Sequence, residues 1–97
     1  MNIQKLMKQA QQMQEKLLQE QSELVTEATV GGGMVTVKMN GHKQLLNMAI
    51  DPEAVDPEDP AMLSDLVVAA VNEAGRKIDE ELQQRLGGMA GGLPGVF

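Results

Sequence analysis

The chain begins with an apolar stripe at helical spacing. Its apolar positions recur three and four residues apart, at Ile3, Leu6, Ala10, Met13 and Leu17. Such spacing places all of them on one side of a helix, so the pattern predicts an amphipathic helix over residues 2–22. The stripe covers too few heptads for an independent long coiled coil. We therefore expect it to pack on the rest of the protein or on a partner helix.

The period of the pattern then changes from helical to two. Alternating apolar positions and β-branched residues predict three strands, over residues 24–30, 34–40 and 43–50. Leu46, Met48 and Ile50 are predicted to share one face of the third strand. The run of glycines at 31–33 supplies the first turn. Asn40-Gly41 predicts a type I′ hairpin turn, which needs φ > 0 at both central residues.

A second helical pattern follows an acidic, proline-containing loop. Asp59 is a suitable N-cap and Pro60 a suitable first helical residue. The apolar positions between Leu63 and Leu82 recur at helical spacing, which predicts a helix over 60–86 that Gly87 and Gly88 end. The predicted fold is α+β, with the order α-β-β-β-α and a three-stranded antiparallel meander between two helices. It forms a single domain over residues 1–88, followed by a flexible Gly-rich tail over 89–97.

Composition narrows the classes of protein. A domain of 97 residues buries only ~60–65% of its unfolded surface, so a second copy would help it bury more. Phe97 is the only aromatic residue, which disfavours a protein that stacks single-stranded bases. Without cysteine there is no disulfide, thiolate nucleophile or thiolate metal site. No signal peptide or membrane span is predicted, so we expect a soluble, cytoplasmic protein.

The acidic charge of the chain is concentrated in one loop. The formal net charge is −6, and six acids but no base lie between Asp51 and Asp65. The remaining residues carry equal numbers of acids and bases, and the first fourteen contain Lys5 and Lys8 but no acid. A locally positive surface on the first helix is therefore compatible with the negative total.

Few residues offer catalytic or metal-binding chemistry. His42 is the only histidine and lacks partners for catalysis or metal binding. Ser22 and Ser64 lack the strand–turn–helix context of an activated nucleophile. The glycines at 31–33 precede a strand, so they are not a phosphate-binding loop, and prolines interrupt the acidic loop where a Ca²⁺ loop needs regular ligands. The sequence predicts no enzyme, no metal and no cofactor.

The basic residues suggest two candidate surfaces. Lys5 and Lys8 share one helical side with no acid within a turn, and Gln4, Gln9, Gln11 and Gln12 surround them. Lysine and glutamine both donate hydrogen bonds to phosphate oxygens, although an ordinary solvated helix face explains the pattern equally well. On the last helix, each of Arg76, Lys77 and Arg85 has an acid at helical spacing, which favours a solvated, ion-paired face over a DNA contact.

Several segments together resemble the YbaB/EbfC family of bacterial nucleoid-associated proteins. They are LMKQAQQMQEKL (6–17), GGGMVTVKMNG (31–41), IDP (50–52), LVVAAVNEAGRKIDE (66–80) and GGLPGVF (91–97). The resemblance covers nearly the whole chain in the same order.

The resemblance implies a cytoplasmic, nucleoid-associated homodimer in which the two sheets join and the helices project. It implies binding of double-stranded DNA, with bending or compaction and effects on gene expression, and neither catalysis nor a cofactor. The basic positions that match the DNA-contacting helices are Lys5, Lys8, Lys16, Arg76, Lys77 and Arg85. The helix–hairpin–helix order leaves an alternative, a protein-interaction scaffold or prefoldin-like chaperone.

Overall fold

Two helices and three strands follow one another in the predicted order. The computed structural model describes residues 2–90, so the predicted tail residues 91–97 lie outside it. The elements are α1 (Ile3–Glu23), β1 (Val25–Val30), β2 (Val35–Asn40), β3 (Leu45–Ile50) and α2 (Pro60–Ala90), with a 3-10 turn at Pro52–Ala54. The α+β class and the α-β-β-β-α order are confirmed. Each strand begins one or two residues later than predicted.

The core lies between α2 and one face of the sheet. The strands are antiparallel in the order β1-β2-β3, so β2 is central. Alternate residues of β2 are buried on the face that α2 covers, namely Val35, Val37 and Met39. They meet a helical stripe consisting of Ala70, Ala74, Ile78 and Leu82. The apolar positions that alternate along β2 and those that recur every 3.6 residues along α2 thus pack against each other in a single interface.

The first turn uses the conformational freedom of glycine. Gly31, Gly32 and Gly33 all have positive φ, at 64°, 68° and 102°. The carbonyl of Val30 accepts hydrogen bonds from the amides of Gly33 (3.3 Å) and Met34 (3.1 Å). Residues with a Cβ rarely adopt this conformation, so three consecutive glycines are needed to turn β1 into β2.

The β2–β3 hairpin exists, but the predicted type I′ turn is wrong. The positive φ in this loop belongs to Lys43, at 62°, and not to Asn40 or Gly41. The Asn40 side chain accepts hydrogen bonds from the amides of His42 (2.9 Å) and Gln44 (3.0 Å), which stabilises a longer loop. Gly41 is instead required because it lies against the backbone of Gln21.

A bulge shifts the register of β3. Lys38 pairs with Asn47, but the next residue, Met39, pairs with Leu45. Leu46 is therefore the extra residue, and the predicted common face of Leu46, Met48 and Ile50 does not continue to the start of the strand. The bulge leaves Leu45 and Leu46 both exposed at the edge.

The last helix is longer than predicted. Its backbone continues through Gly87 and Gly88 to Ala90, so the predicted end at residue 86 is wrong and residues 89–90 belong to the helix, not the tail. Each glycine costs only ~1 kcal/mol relative to alanine in a helix. Leu86, directly before the pair, and Leu82, one turn earlier, are buried, so α2 is packed up to the point where the glycines begin.

Within residues 2–90, α2 alone covers the sheet, whereas α1 projects from it. None of the described side chains of α1 is buried, and Ile3 and Met7 are 70% and 67% exposed. Met13 and Leu17 are half-buried, but the first three turns pack on nothing within residues 2–90. The expected packing of its apolar stripe on the rest of the protein is therefore not seen over these turns within residues 2–90, and packing on a partner helix stays a prediction. The stripe is exposed over these turns. Neither α1 nor the described part of α2 is long and apolar enough to cross a membrane.

Candidate nucleic-acid interface

Lys5 and Lys8 lie on the exposed outer part of α1. The side chain of Asn2 caps the helix by accepting a hydrogen bond from the Lys5 amide, at 3.3 Å. Helical spacing places Gln9 and Gln12 on the same side, and we call these four residues the Lys/Gln face. Neither lysine has an acidic partner in the described chain. Both ammonium groups are therefore available to an anion.

Lys16 and Arg85 are held by one carboxylate at the base of α1. Glu20 lies 3.3 Å from the Lys16 ammonium and 3.1 Å from a guanidinium nitrogen of Arg85 on α2. Hydrogen bonds from Arg85 and then Lys16 lower the pKa of Glu20 below its ordinary value of 4.5. Arg85 also lies 3.8 Å from Glu81. Arg85 thus joins α2 to α1 through Glu20, whereas the Lys16 pair lies within α1. The charges of both candidate residues are largely balanced.

Arg76 and Lys77 are neighbours on α2 but bind different kinds of partner, carboxylates for Arg76 and a backbone carbonyl for Lys77. Arg76 forms ion pairs with Glu73 and Glu80, and the first of these raises its pKa most. Lys77 forms neither of the ion pairs that its spacing suggests and donates instead to the carbonyl of Glu27 on β1, at 2.9 Å. A DNA contact by Arg76, Lys77 or Arg85 remains a prediction, and it would require each to exchange a partner that it already has.

The structure also shows a basic contact that the sequence analysis missed. Lys43 of the hairpin loop lies 2.9 Å from Asp79 on α2. The two residues are far apart in sequence, and nothing in their spacing signals the pair. Lys38 lies on the uncovered face of the sheet and has no ion-pair partner among residues 2–90. Among the candidate residues that the sequence singled out, Lys5 and Lys8 alone are exposed and have no ion-pair partner within the described part of the chain.

The acidic loop uses its aspartates to hold backbone. Asp51, Asp56 and Asp59 accept hydrogen bonds from the amides two or three residues ahead, at 2.9, 2.9 and 3.2 Å. The last of these confirms Asp59 as the cap of α2. These aspartates therefore stabilise the backbone of the loop and the first turn of α2.

The acidic loop and the base of α1 lie at opposite ends of α2. Asp59 precedes the first turn of α2, and Arg85 contacts α1 near its last turns. At 1.5 Å per residue the separation along the helix is about 39 Å. Charges are screened within ~8–10 Å at physiological salt, so the acids of the loop have little effect on the potential at the base of α1.

Comparisons with known proteins identify the family of this chain. Residues 1–93 match the model of the YbaB/EbfC DNA-binding family. A nucleoid-associated protein of Koribacter versatilis is 53% identical over 96 residues, covering 97% of this chain and 95% of the relative. A nucleoid-associated protein of Chloroflexus aurantiacus is 46% identical over the full length of both chains.

A solved structure supports the fold independently. The crystal structure of an uncharacterized protein from Helicobacter pylori superimposes with a TM-score of 0.73 at 23% identity, covering 92% of this chain and 97% of that chain. Its identity is low, so it bears on the fold alone. The family match and the relatives describe DNA-binding, nucleoid-associated proteins and not enzymes. This chain belongs to the YbaB/EbfC DNA-binding family.

Proposed function

We propose that this protein binds double-stranded DNA as a homodimer in the bacterial nucleoid, bending or compacting the DNA and thereby affecting gene expression. The observation that carries the proposal is the Lys/Gln face of α1, which is exposed and free of acids. Lysine and glutamine contacts to phosphates position a protein on a duplex without reading its sequence. We assign the first contacts to Lys5 and Lys8.

The open edge of the sheet supports dimerisation. On β1, Lys77 donates to the outward carbonyl of Glu27 and Thr26 donates to the Ala74 carbonyl (3.4 Å), so α2 covers this side. On β3, Leu45, Leu46 and Ile50 are exposed and α2 does not cover them. An uncovered apolar edge strand readily pairs with another strand. We therefore place the junction of two sheets at β3.

Replacing Leu46 with aspartate should weaken the dimer. Each copy would lose an apolar contact of about 1.5 kcal/mol, so the dissociation constant should rise roughly 100-fold. Val25→Asp on β1 is the matched control, because Val25 and Leu46 are 54% and 53% exposed. Analytical ultracentrifugation over a concentration series measures both. A dimer broken by Val25→Asp and not by Leu46→Asp would place the junction at β1.

Fluorescence anisotropy with a labelled random-sequence duplex tests the proposed function. We expect binding at low salt that weakens steeply as salt rises, because the contacts are to phosphates. A circularisation assay on a short duplex then reports bending. A parent chain that does not bind the duplex at 20 mM salt, or whose affinity does not change as salt rises, would contradict the proposal.

The exposed apolar stripe of α1 favours the second candidate, a protein-interaction scaffold or prefoldin-like chaperone. Ile3, Leu6 and Met7 would bind an apolar client in that case. The same anisotropy measurement with an unfolded apolar peptide distinguishes the two, because hydrophobic binding tolerates salt. Salt-tolerant peptide binding together with no DNA binding would favour the scaffold.

A further inference from the structure

The base of α1 fits closely against the hairpin loop. Gly41 is buried, and its amide donates to the carbonyls of Gln21 (3.1 Å) and Leu24 (3.0 Å). A Cβ at position 41 would overlap the Gln21 carbonyl oxygen and would lie 2.6 Å from its Cα. Backbone atoms cannot yield as the end of a flexible side chain can, so any side chain at this position must displace the end of α1.

A second contact holds the same end of α1 from another direction. Glu20 accepts a hydrogen bond from Arg85 of α2, and the Glu20 side chain is only 15% exposed. Lys16 of α1 binds the other carboxylate oxygen. The hairpin and α2 therefore both contact one turn of α1, between Glu20 and Leu24. The outer turns of the helix have no comparable support within residues 2–90.

We propose that Gly41 and the Glu20–Arg85 ion pair together fix the direction in which α1 leaves the sheet. This inference rests on the proposed DNA-binding dimer, because fixed directions define the distance between the two Lys/Gln faces. It gives Arg85 a role different from a phosphate contact: Arg85 is a positioning residue that acts through Glu20. Glu20 and Gly41 likewise act on DNA geometry without touching DNA.

Distances between spin labels test the inference in the absence of DNA. The chain contains no cysteine, so labels at Gln11→Cys and Ser64→Cys report α1 against α2 uniquely. Excess unlabelled chain limits the signal to pairs within one protomer. The parent chain should give one narrow distance. Glu20→Gln should broaden the distribution about twofold, and Gly41→Ala should shift its mean by about 3 Å, because the base of a stiff helix is displaced.

Two matched variants control for charge and for the added methyl group. Glu15→Gln removes the same charge from α1, and Glu15 has no ion pair in the described residues. Gly75→Ala adds a Cβ that meets nothing within 4 Å. Both should give the parent distribution. If Gly41→Ala does not fold, Glu20→Gln against Glu15→Gln still decides. Identical distributions for Glu20→Gln and Glu15→Gln would overturn the proposal.

A DNA measurement separates this inference from the proposed function. Both glutamate variants keep Lys5 and Lys8, so we expect their affinities for a duplex to stay within about threefold of the parent. Energy transfer between the ends of the duplex should change for Glu20→Gln alone, since a positioning residue alters DNA shape. If the parent does not bind DNA, the proposed function fails while the label distances still decide how α1 is held.

Discussion

A chain carrying Lys5→Gln and Lys8→Gln is expected to lose nearly all salt-dependent affinity for DNA. Two lysines per protomer give about four phosphate contacts per dimer, which predicts a slope near −3.6 for log K against log [salt]. The double variant should approach a slope of zero. For the parent, the same slope predicts a loss of affinity of roughly 150-fold between 50 and 200 mM salt. Anisotropy titrations at four salt concentrations measure both slopes.

The variant that controls for net charge removes two positive charges elsewhere, one from β2 and one from the hairpin loop. Lys38→Gln with Lys43→Gln changes the total charge equally but leaves the Lys/Gln face intact. We expect its slope to stay close to that of the parent. Equal losses in both double variants would show that total charge, and not the placement of Lys5 and Lys8, determines binding. Analytical ultracentrifugation confirms that each variant remains dimeric.

Ile78→Ala is expected to produce the largest loss of stability. Ile78 is fully buried where α2 meets the sheet, among Val35 and Val37. Truncating a buried isoleucine to alanine costs ~2–5 kcal/mol, from lost transfer energy and the cavity left behind. For a domain of this size that corresponds to a fall in Tm of roughly 10–30 °C. Thermal unfolding followed by circular dichroism, at one fixed protein concentration, measures the change.

Val68→Ala is the matched control for this substitution. Val68 lies on the same helix but is 55% exposed, so its truncation should change stability by less than about 0.5 kcal/mol. A change below 1 kcal/mol for Ile78→Ala would mean that α2 does not pack on the sheet through this residue. Holding the protein concentration constant matters because dimerisation contributes to the measured Tm.

The sequence predicted the elements because their periods are local. Alternation at Val35, Val37 and Met39, and helical spacing from Leu63 to Leu82, each identify one face of one element. A single core buries those faces, so the order and class follow from the pattern. The helix ends were less predictable. Gly87 signals a stop by itself, but buried Leu86 before it outweighs that signal.

The hairpin loop shows why the turn was mispredicted. Asn40-Gly41 is a strong local signal for positive φ, yet Gly41 serves a contact with Gln21, a residue of another element. A glycine is therefore needed at position 41 because of a tertiary contact, and not because the turn requires positive φ there. The Asn40 side chain then took over the stabilisation of the loop by accepting two backbone hydrogen bonds.

The sequence could predict whether a candidate cation is ion-paired only where its possible partners lie close to it along the chain. The absence of acids around Lys5 and Lys8 is visible in the sequence, and neither lysine has an ion-pair partner among the residues that the structure describes. The partners of Arg85 and Lys43 are Glu20 and Asp79, which lie 65 and 36 positions away. No spacing rule within one helix detects such pairs. Distinguishing available cations from engaged ones therefore required the fold.

Because the outer turns of α1 are exposed, small changes at its base alter the position of its far end. About 24 Å of helix separates Lys5 from Gln21, at 1.5 Å per residue. A tilt of ten degrees at Gln21 would carry Lys5 sideways by about 4 Å, more than the ~3.4 Å rise between successive phosphates of one strand. The helix thus amplifies small changes at its root. In the proposed complex, substitutions far from any nucleotide would therefore displace the lysines along the duplex by more than the axial rise of one nucleotide.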